Sequence, residues 1–385
     1  MTNARFADIR AHEFEGTGRA IYLNAAGYGP LPERTRAALN QFNDRRHRGA
    51  VRDTELFSAL TNARAQAARL IGAAPAEIAL APNTNVALNV AANAVLERAH
   101  DRTVILLSAG EFPANVYPWL ALQQHGFTVE IVPTDEHGWP REDVMLERIV
   151  RGDVAAVSVS FVQFSSGFRA DLNAFSEVCA QRDTLLVVDA IQGLGAVPLA
   201  VQDTPIDILA CGGQKWLCSP WGSGFTYIRR ELITTFEPVF PGWLSFRSSE
   251  DFRSLTSYEY DLLDDARRFE TGSIAYQDHL GMGQSIELLL ELNVAEIWQH
   301  LRDLQPPIID WAQARGVAIV SDLAPARRSG ILCIRPPDPA AAHNALTEAG
   351  VVCALRENAI RLAPHWYNTT GEIERLLEIL DSTTR

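Results

Sequence analysis

Six short apolar runs, rich in Val, Ile and Leu, restrict the fold of this chain more than any other feature of its sequence. They lie at residues 103–108, 127–133, 153–162, 184–190, 206–212 and 224–228. Runs that stay apolar, without alternating with polar residues, are typical of strands covered on both faces. Helical patterns lie between several of them, as at residues 171–182. This alternation predicts a doubly wound, mainly parallel sheet whose ligands bind at the carboxyl ends of the strands.

The pattern changes near residue 285, where a long helical stretch begins. Strand, helix and strand segments follow it, and the chain ends in the amphipathic sequence GEIERLLEIL and a short polar tail. This change predicts a smaller α/β domain that closes over a larger one. We therefore predict a large domain over residues 20–284 and a small domain that combines residues 1–19 with residues 285–385.

The charge balance of the chain excludes several classes of partner. Its 34 Lys and Arg residues are outnumbered by 47 Asp and Glu residues, so the formal net charge is −13. Such a chain repels the phosphates of nucleic acids and of anionic lipids, so we predict neither nucleic-acid nor membrane binding. The N-terminal segment is polar, and no apolar run approaches the length of a membrane span. A cytoplasmic protein that acts on a small molecule is predicted.

The cysteine pattern predicts neither a disulfide framework nor a metal site. The five residues form no CxxC pair and no cluster with His; they are Cys179, Cys211, Cys218, Cys333 and Cys353. We interpret them as buried or incidental thiols in a reducing compartment.

Two residues in the middle of the chain carry the chemistry. The strand-like run LLVVDAIQG delivers Asp189 to its carboxyl end, and after the next run the segment GGQKWLCSPWGSG places Lys215 among glycines, Trp216, Leu217 and Trp221. Apolar neighbours lower the pKa of a lysine and suit its amine to imine formation. Each residue alone has an ordinary alternative, a turn or cap for the Asp and a solvated loop for the Lys. Together they match what pyridoxal phosphate requires, an imine-forming lysine and an acidic partner for its ring nitrogen.

The order of the motifs VVDAIQG, GGQKWL and FETGS resembles that of the class V aminotransferases, a family of fold type I pyridoxal phosphate enzymes. The family includes cysteine desulfurases, kynureninases and isopenicillin N epimerase. The resemblance extends from YLNAAGYGPLP, near residue 22, to IRLAPHWYNT, near residue 360. It implies an α/β fold, with a mainly parallel, seven-stranded type of sheet in the large domain and a smaller C-terminal α/β domain. It also implies pyridoxal 5'-phosphate as the cofactor.

The resemblance implies a role for each residue around the cofactor ring. Lys215 would form the imine and later act as the base, while Asp189 would hold the ring nitrogen protonated. Gln192 would donate a hydrogen bond to the ring hydroxyl. Phe112, in AGEFPANVYPW, lies at the family position whose side chain stacks on the ring. The desulfurases have a His at this position, and a His can also move protons.

A second group of residues would bind the phosphate of the cofactor. Thr84 and Asn85, in APNTNVALNVAAN, match a turn at a helix N-terminus, where free N–H groups and the helix dipole favour an anion. Plain helix capping is the alternative for these two residues. Gln214 matches a position that often carries a phosphate-binding His. Ser273, in FETGS, matches a residue that reaches the phosphate of the neighbouring subunit, which implies a homodimer with a shared active site; an ordinary turn at Gly272 is the alternative.

Three further residues would line the pocket for a small amino-acid substrate. Arg361, in NAIRLAPHWYNT, matches an arginine that grips the substrate carboxylate, and a guanidinium binds a carboxylate with two hydrogen bonds. A surface salt bridge is the alternative. Asn24, in LNAAG, and Gln163, in FVQFSSG, match positions that line the pocket.

The departures from the family pattern decide which reaction we expect. A desulfurase takes up sulfur on a cysteine in a mobile loop before the carboxylate-binding arginine, but Cys353 lies in a strand-like segment. Phe112 occupies the position of the desulfurase His and cannot move protons, so a second part of that mechanism is missing. We therefore expect β-elimination from a sulfur-bearing or similar amino acid, with transamination second and epimerisation or racemisation third.

The pair of Lys215 and Asp189 argues against a non-catalytic relative, and the absence of GxGxxG after a strand argues against a dehydrogenase. Cys218 could be a pocket thiol, although small buried hydrophobes are the commoner case.

Overall fold

A computed structural model describes residues 4–14, 20–98, 101–253, 255–256 and 258–383. Its helices, in chain order, are Ala4–Glu13 (α1), Glu33–His47 (α2), Asp53–Ile71 (α3), Thr84–Arg98 (α4), Tyr117–Ala121 (α5), Glu142–Val150 (α6), Leu172–Arg182 (α7), Tyr276–Leu292 (α8), Val294–Leu304 (α9), Pro306–Ala314 (α10), Pro339–Glu348 (α11) and Thr370–Thr383 (α12). Its strands are Ile21–Tyr22 (β1), Ile78–Leu80 (β2), Val104–Ser108 (β3), Thr128–Val132 (β4), Val154–Ser160 (β5), Leu185–Asp189 (β6), Ile208–Gly212 (β7), Gly224–Ile228 (β8), Ala318–Ile319 (β9), Leu332–Arg335 (β10), Val351–Val352 (β11), Ala354–Arg356 (β12) and Ala359–Leu362 (β13).

A seven-stranded sheet forms the centre of the molecule, with the strand order β2-β8-β7-β6-β5-β3-β4. All pairs from β4 to β7 are parallel, and β8 is antiparallel to both of its neighbours. The predicted mainly parallel sheet is confirmed, and each of the six apolar runs of the sequence contains one of its strands.

Burial explains why these strands carry so few polar residues. Every residue of β3, β5, β6, β7 and β8 is buried, whereas the edge strand β4 is only partly covered. Alternate side chains enter two different cores, with Leu106 and Leu186 on one face and Ile105 and Val187 on the other. The apolar cores on both faces hold the sheet rigid and fix its carboxyl-end edge.

A second, antiparallel sheet lies in the C-terminal part, with the order β12-β13-β10-β9. Helices α10, α11 and α12 cover it through a third apolar core. The N-terminal segment joins this part, because β1 pairs with β11 and Asn24 forms a bridge to Ala363. The division into two domains remains a prediction; residue 285 falls inside α8, which packs on α2 and α3. Residues 1–3, 15–19 and 384–385 of the predicted small domain lie outside the described residues.

The described part of the chain contains neither a candidate membrane span nor a candidate metal cluster. No helix there combines the length and the apolar character that a membrane crossing requires. In the same ranges, no group of three or more His, Cys, Asp or Glu side chains is arranged to hold a metal ion.

Candidate active site

Asp189 and Lys215 lie at the carboxyl ends of two neighbouring parallel strands. Asp189 is the last residue of β6 and pairs across the sheet with Ala210 of β7. Lys215 follows three residues after the end of β7. Ligands in this kind of fold bind at the carboxyl ends of the strands. The strand order therefore brings the two residues singled out in the sequence to the edge where a ligand is expected.

Both of these groups are poorly solvated. Asp189 is 2% exposed, and burial raises the pKa of its carboxyl to about 7, against the opposing effects of the Ile191 N–H and the Lys215 charge. The Ile191 N–H donates to Oδ1 over 3.1 Å. Burial also lowers the pKa of the Lys215 amine to about 8, and the charge of Asp189 opposes that shift. An amine with this pKa can accept and return protons near neutral pH.

Aromatic rings border the Lys215 amine. Its Nζ atom lies 5.5 Å from the centroid of the Phe112 ring, and Phe112 packs edge to face on Phe164 with ring centroids 5.3 Å apart. Phe112 is 44% exposed, so its ring is accessible to a ligand. Of the two tryptophans that flank Lys215 in the sequence, Trp216 is fully buried, whereas Trp221 is 57% exposed.

The N-terminus of α4 has the properties of an anion site. Thr84 is the first residue of this helix, and its hydroxyl accepts the N–H of Gly212 over 2.9 Å. The helix is capped by Asn83, whose Oδ1 accepts the N–H of Val86 over 3.0 Å. The N–H groups of Thr84 and Asn85 belong to the first turn, which has no intrahelical acceptors for them. Capping is thus done by the preceding residue and does not account for Thr84 and Asn85.

The side chains of Gln214 and Thr84 both lie next to Gly212. A Cβ atom on Gly212 would lie 2.6 Å from Oε1 of Gln214 and 3.0 Å from Oγ1 of Thr84, so a side chain there would displace the Gln214 amide. The amide of Gln214 and the hydroxyl of Thr84 therefore lie together at the start of α4, where the free N–H groups of the helix are donors. These are the residues that the resemblance assigned to the phosphate.

Gln192 is held between two other parts of the site. It is 3% exposed; its Nε2 donates to the Ala26 carbonyl over 3.1 Å, and its Oε1 accepts the indole N–H of Trp216 over 3.0 Å. An amide group has two N–H donors, so one remains after these contacts. The predicted bond from Gln192 to a ring hydroxyl stays a prediction.

The three predicted substrate residues share a property that polar side chains rarely have. Within the described residues, Asn24 Oδ1, Gln163 Oε1 and Arg361 Nε are buried polar atoms without a hydrogen-bond partner. Such atoms cost free energy unless a ligand or water pairs with them. Arg361 is 2% exposed, its Nη1 donates to the Phe164 carbonyl over 2.9 Å, and burial lowers its pKa to about 10. This combination favours a ligand that brings its own negative charge and hydrogen-bonding groups.

Glu111 is a buried carboxyl group that the sequence interpretation missed. It accepts Ser160 N–H over 3.0 Å, Asn115 Nδ2 over 3.0 Å and Gln163 Nε2 over 2.7 Å, and it also accepts the Ser160 hydroxyl. Burial raises its pKa, and these donors oppose the shift. Because Glu111 takes the amide nitrogen of Gln163, the amide oxygen is left for a ligand. The only signal in the sequence was an acidic residue directly before Phe112.

His365 was missed as well, and it supports the segment that carries Lys215. Its Nδ1 accepts the N–H of Trp366 over 2.8 Å, so its Nε2 carries the proton and donates to the Trp216 carbonyl over 2.8 Å. Burial lowers the pKa of this ring to about 4, so it stays neutral at physiological pH. The C-terminal part of the chain thereby holds the residue next to Lys215.

Ser273 makes no hydrogen bond to the groups described above. It is exposed, its φ is 53°, and no hydrogen bond joins its side chain to another described residue. Large apolar side chains nearby in the sequence are exposed too, among them Phe240 at 78% and Tyr258 at 91%. A role for Ser273 in a neighbouring subunit remains a prediction.

The number of lysines in the sequence distinguishes Lys215 more clearly than its motif does. Lys215 is the only lysine among 385 residues, and the chain has 33 arginines. A guanidinium stays protonated and cannot act as a nucleophile or a base at neutral pH. A chain whose other strongly basic side chains are all arginines thus keeps its single lysine near Asp189.

The model of the family described as aminotransferase class V matches residues 21–376. The chain belongs to this family. The match confirms the resemblance seen in the motifs, and with it the predicted enzyme class, the fold type and pyridoxal 5'-phosphate as the cofactor.

Relatives with different names share similar degrees of identity with the chain. The uncharacterised aminotransferase YcbU of Bacillus subtilis (strain 168) is 29% identical over 84% of this chain and 83% of its own length. A probable cysteine desulfurase of Methanothermobacter thermautotrophicus is 27% identical over 94% of each chain. The isopenicillin N epimerase of Amycolatopsis lactamdurans is 26% identical over 94% of this chain and 95% of its own length.

Solved structures agree in fold with the whole chain. The apo cysteine desulfurase of Thermococcus onnurineus NA1 superposes with a TM-score of 0.86 over 99% of each chain, at 21% identity. The cystine C-S lyase C-DES, solved with its product cysteine persulfide, gives 0.85 at 20% identity and covers 97% of this chain and 100% of its own. Identities this low show the shared fold and leave the reaction open.

The residues described above fit the cofactor of the family. A phosphate group needs N–H and O–H donors, and the start of α4 supplies them next to Thr84 and Gln214. A protonated ring nitrogen needs a buried acid, which Asp189 would supply, and a carbonyl group needs an amine, which Lys215 would supply.

Proposed function

We propose that this enzyme removes a β substituent from a sulfur-bearing or similar amino acid. The observation that carries the cofactor chemistry of this proposal is the single lysine of the chain, with a pKa of about 8, near the buried carboxyl of Asp189; the buried cysteines and Phe112 favour elimination. Lys215 is then the attachment point of the cofactor and the base that takes the α proton. Asp189 holds the ring nitrogen protonated. When bound, pyridoxal phosphate supplies a ring that stabilises negative charge at the α carbon of the substrate.

The remaining residues bind and orient the cofactor and the substrate. Thr84, Asn85 and Gln214 hold the phosphate, Gln192 the ring hydroxyl, and Phe112 one face of the ring. Arg361 binds the substrate carboxylate, while Asn24 and Gln163 offer their unpartnered oxygens to its N–H or O–H groups. Glu111 acts through Gln163 by fixing which end of the amide faces the substrate.

The cysteines support elimination over sulfur transfer to the protein. Cys353 lies between β11 and β12, is 8% exposed, and burial raises the pKa of its thiol to about 12. A thiol in this state is neither exposed nor ionised, so it is poorly suited to accept sulfur. Cys218 is also buried with a pKa raised to about 12. Phe112 cannot protonate a departing group, so we expect substrates whose leaving group departs readily as an anion.

Transamination is the second candidate, since the relative that shares 29% identity is named an aminotransferase. Epimerisation or racemisation is third. These reactions begin with the same loss of the α proton to Lys215 and differ in where the proton returns.

We also propose that the enzyme is a cytoplasmic homodimer. Ser273 and the exposed apolar side chains Phe240, Trp243 and Tyr258 would be covered by a second copy, which would bring Ser273 to the partner's phosphate site. All five cysteines are free, which fits a reducing compartment.

Product analysis tests the proposed reaction. We expect that the cofactor-loaded enzyme, mixed with a panel of cysteine thioethers and simple amino acids, releases a thiol, ammonia and a keto acid in equal amounts and keeps its cofactor. Mass spectrometry of the products and the absorption of the cofactor are the measurements. Conversion of the cofactor to its amino form, or inversion of the substrate without thiol release, would replace elimination by transamination or epimerisation.

Asp189→Asn is expected to retain the cofactor and lose about 10²-fold in kcat, because an amide cannot keep the ring nitrogen protonated. The matched control is Asp207→Asn. Asp207 is a largely buried acid beside β6 and β7, where it accepts the Leu186 N–H and pairs with Arg229 over 2.9 Å. We expect the control to change stability but not kcat per bound cofactor. Equal kcat losses in both variants would remove Asp189 from this role.

A further inference from the structure

A second arginine shares the sheet face of Arg361. In the hairpin of β12 and β13, Ala354 pairs with Arg361 and Arg356 pairs with Ala359. Directly opposed residues of an antiparallel pair lie on one face, and so do residues two apart on a strand. Arg356 and Arg361 therefore project from the same side of the hairpin.

This face of the sheet is turned toward the active site. Arg361 donates to the carbonyl of Phe164, and Cys333, its partner on β10, contacts the carbonyl of Ser165 over 3.1 Å. Both carbonyls belong to the segment that begins with Gln163. The charge of Arg356 also lowers the pKa of Lys215 and of Arg361, so it reaches both groups.

Arg356 is a cation without an acidic partner among the described residues. It is exposed, and the hydrogen bond of its guanidinium goes to the carbonyl of the adjacent Leu355, over 2.9 Å. About half of the other described arginines form ion pairs, as Arg375 does with Glu378 over 2.7 Å. Two like charges at one site repel each other unless an anion offsets them. The position thus favours a ligand with more than one negative charge.

We propose that the enzyme acts on amino acids whose side chain ends in a carboxylate. This rests on the function proposed above. Arg361, deep in the site, binds the α-carboxylate, and Arg356, exposed at its mouth, binds the side-chain carboxylate. For elimination, the substrate class is a cysteine thioether whose leaving group carries the carboxylate. Lys215 takes the α proton, the Cβ–S bond breaks with its electron pair on sulfur, and the released thiol takes up a proton. One water converts the remaining three carbons to pyruvate and ammonia.

Two nearly isosteric probes test this specificity. S-carboxymethylcysteine carries the second carboxylate, and S-carbamoylmethylcysteine has a neutral amide in its place. We expect the wild-type holoenzyme to show a lower KM and Kd for the acid than for the amide. Kd is read from the change in cofactor absorbance on titration, which does not depend on turnover. The product is mercaptoacetate from the acid.

Substitutions assign the preference to Arg356. Arg356→Gln is expected to raise KM and Kd for the acid by about 10- to 100-fold and to change those for the amide less than about 2-fold. Arg356→Lys should recover part of the loss, because a lysine keeps the charge without the fork of donors. Arg361→Gln should weaken both probes alike. Arg375→Gln, which removes the same charge at an exposed pair on α12, should change neither.

Each outcome decides between the two proposals. Equal Kd values for acid and amide in the wild type, or equal weakening of both by Arg356→Gln, overturn the role of Arg356 and leave the proposed function standing. Selective binding of the acid without thiol release supports Arg356 and counts against elimination. Failure of the cofactor to attach at Lys215 counts against the proposed function, and calorimetric titration of that protein with both probes still decides the role of Arg356.

Discussion

Lys215→Ala is expected to lose all covalently attached cofactor and on the order of 10³-fold or more in kcat. The single lysine of this chain makes the result unusually direct, because no other side-chain amine can take over the attachment. Borohydride reduction of the wild-type holoenzyme should give one cofactor adduct per chain, located by peptide mass spectrometry at Lys215. The Lys215→Ala protein should give none there.

Lys215→Arg is the matched control for charge. The guanidinium keeps a cation next to Asp189 but offers neither a nucleophile nor a base. We expect the same loss of adduct and activity as for alanine, with better retention of fold stability. Substantial turnover in Lys215→Arg would mean that the positive charge, and not the amine, is what the site requires, and the proposed function would then be wrong.

The central sheet could be read from the sequence because burial on both faces leaves a continuous apolar signal. Each of the six runs contains a strand, and even the edge strand β4 was found, although it is only partly covered. The strand β2 was not predicted, because a strand of three residues, Ile78–Leu80, is too short to show any periodicity. The C-terminal sheet was located only roughly, since its strands are two to four residues long.

Some residues of the candidate site could also be predicted from the sequence, and others could not. Asp189 and Lys215 stand out in the sequence because each follows an apolar run directly, and parallel strand order alone brings them to one edge. Glu111 and His365 do not stand out, because their roles depend on partners 52 and 149 residues away. The location of Arg356 depends on strand register, which single-sequence patterns do not supply.

Removing one partner of the buried ion pair between Arg64 and Glu270 is expected to cost about 3–5 kcal/mol in the free energy of unfolding. Arg64 Nη2 lies 2.7 Å and 3.0 Å from the two carboxylate oxygens, and their side chains are 9% and 3% exposed. Glu270 also accepts the N–H of Leu80 over 2.9 Å. The pair thus joins α3, β2 and the loop that leads to Ser273.

Glu270→Gln leaves the Arg64 guanidinium buried without a counter-charge, and Arg64→Met leaves the Glu270 carboxylate in the same position. Urea unfolding of both variants without cofactor measures the cost. The double variant Arg64→Met with Glu270→Met should recover part of the loss, because no buried charge remains in it. Glu33→Gln, which breaks an exposed pair with Arg36, should be nearly neutral. A cost for Glu270→Gln as small as that of Glu33→Gln would mean that water reaches this pair, and the loop carrying Ser273 would then be tethered by Leu80 and Ser245 instead.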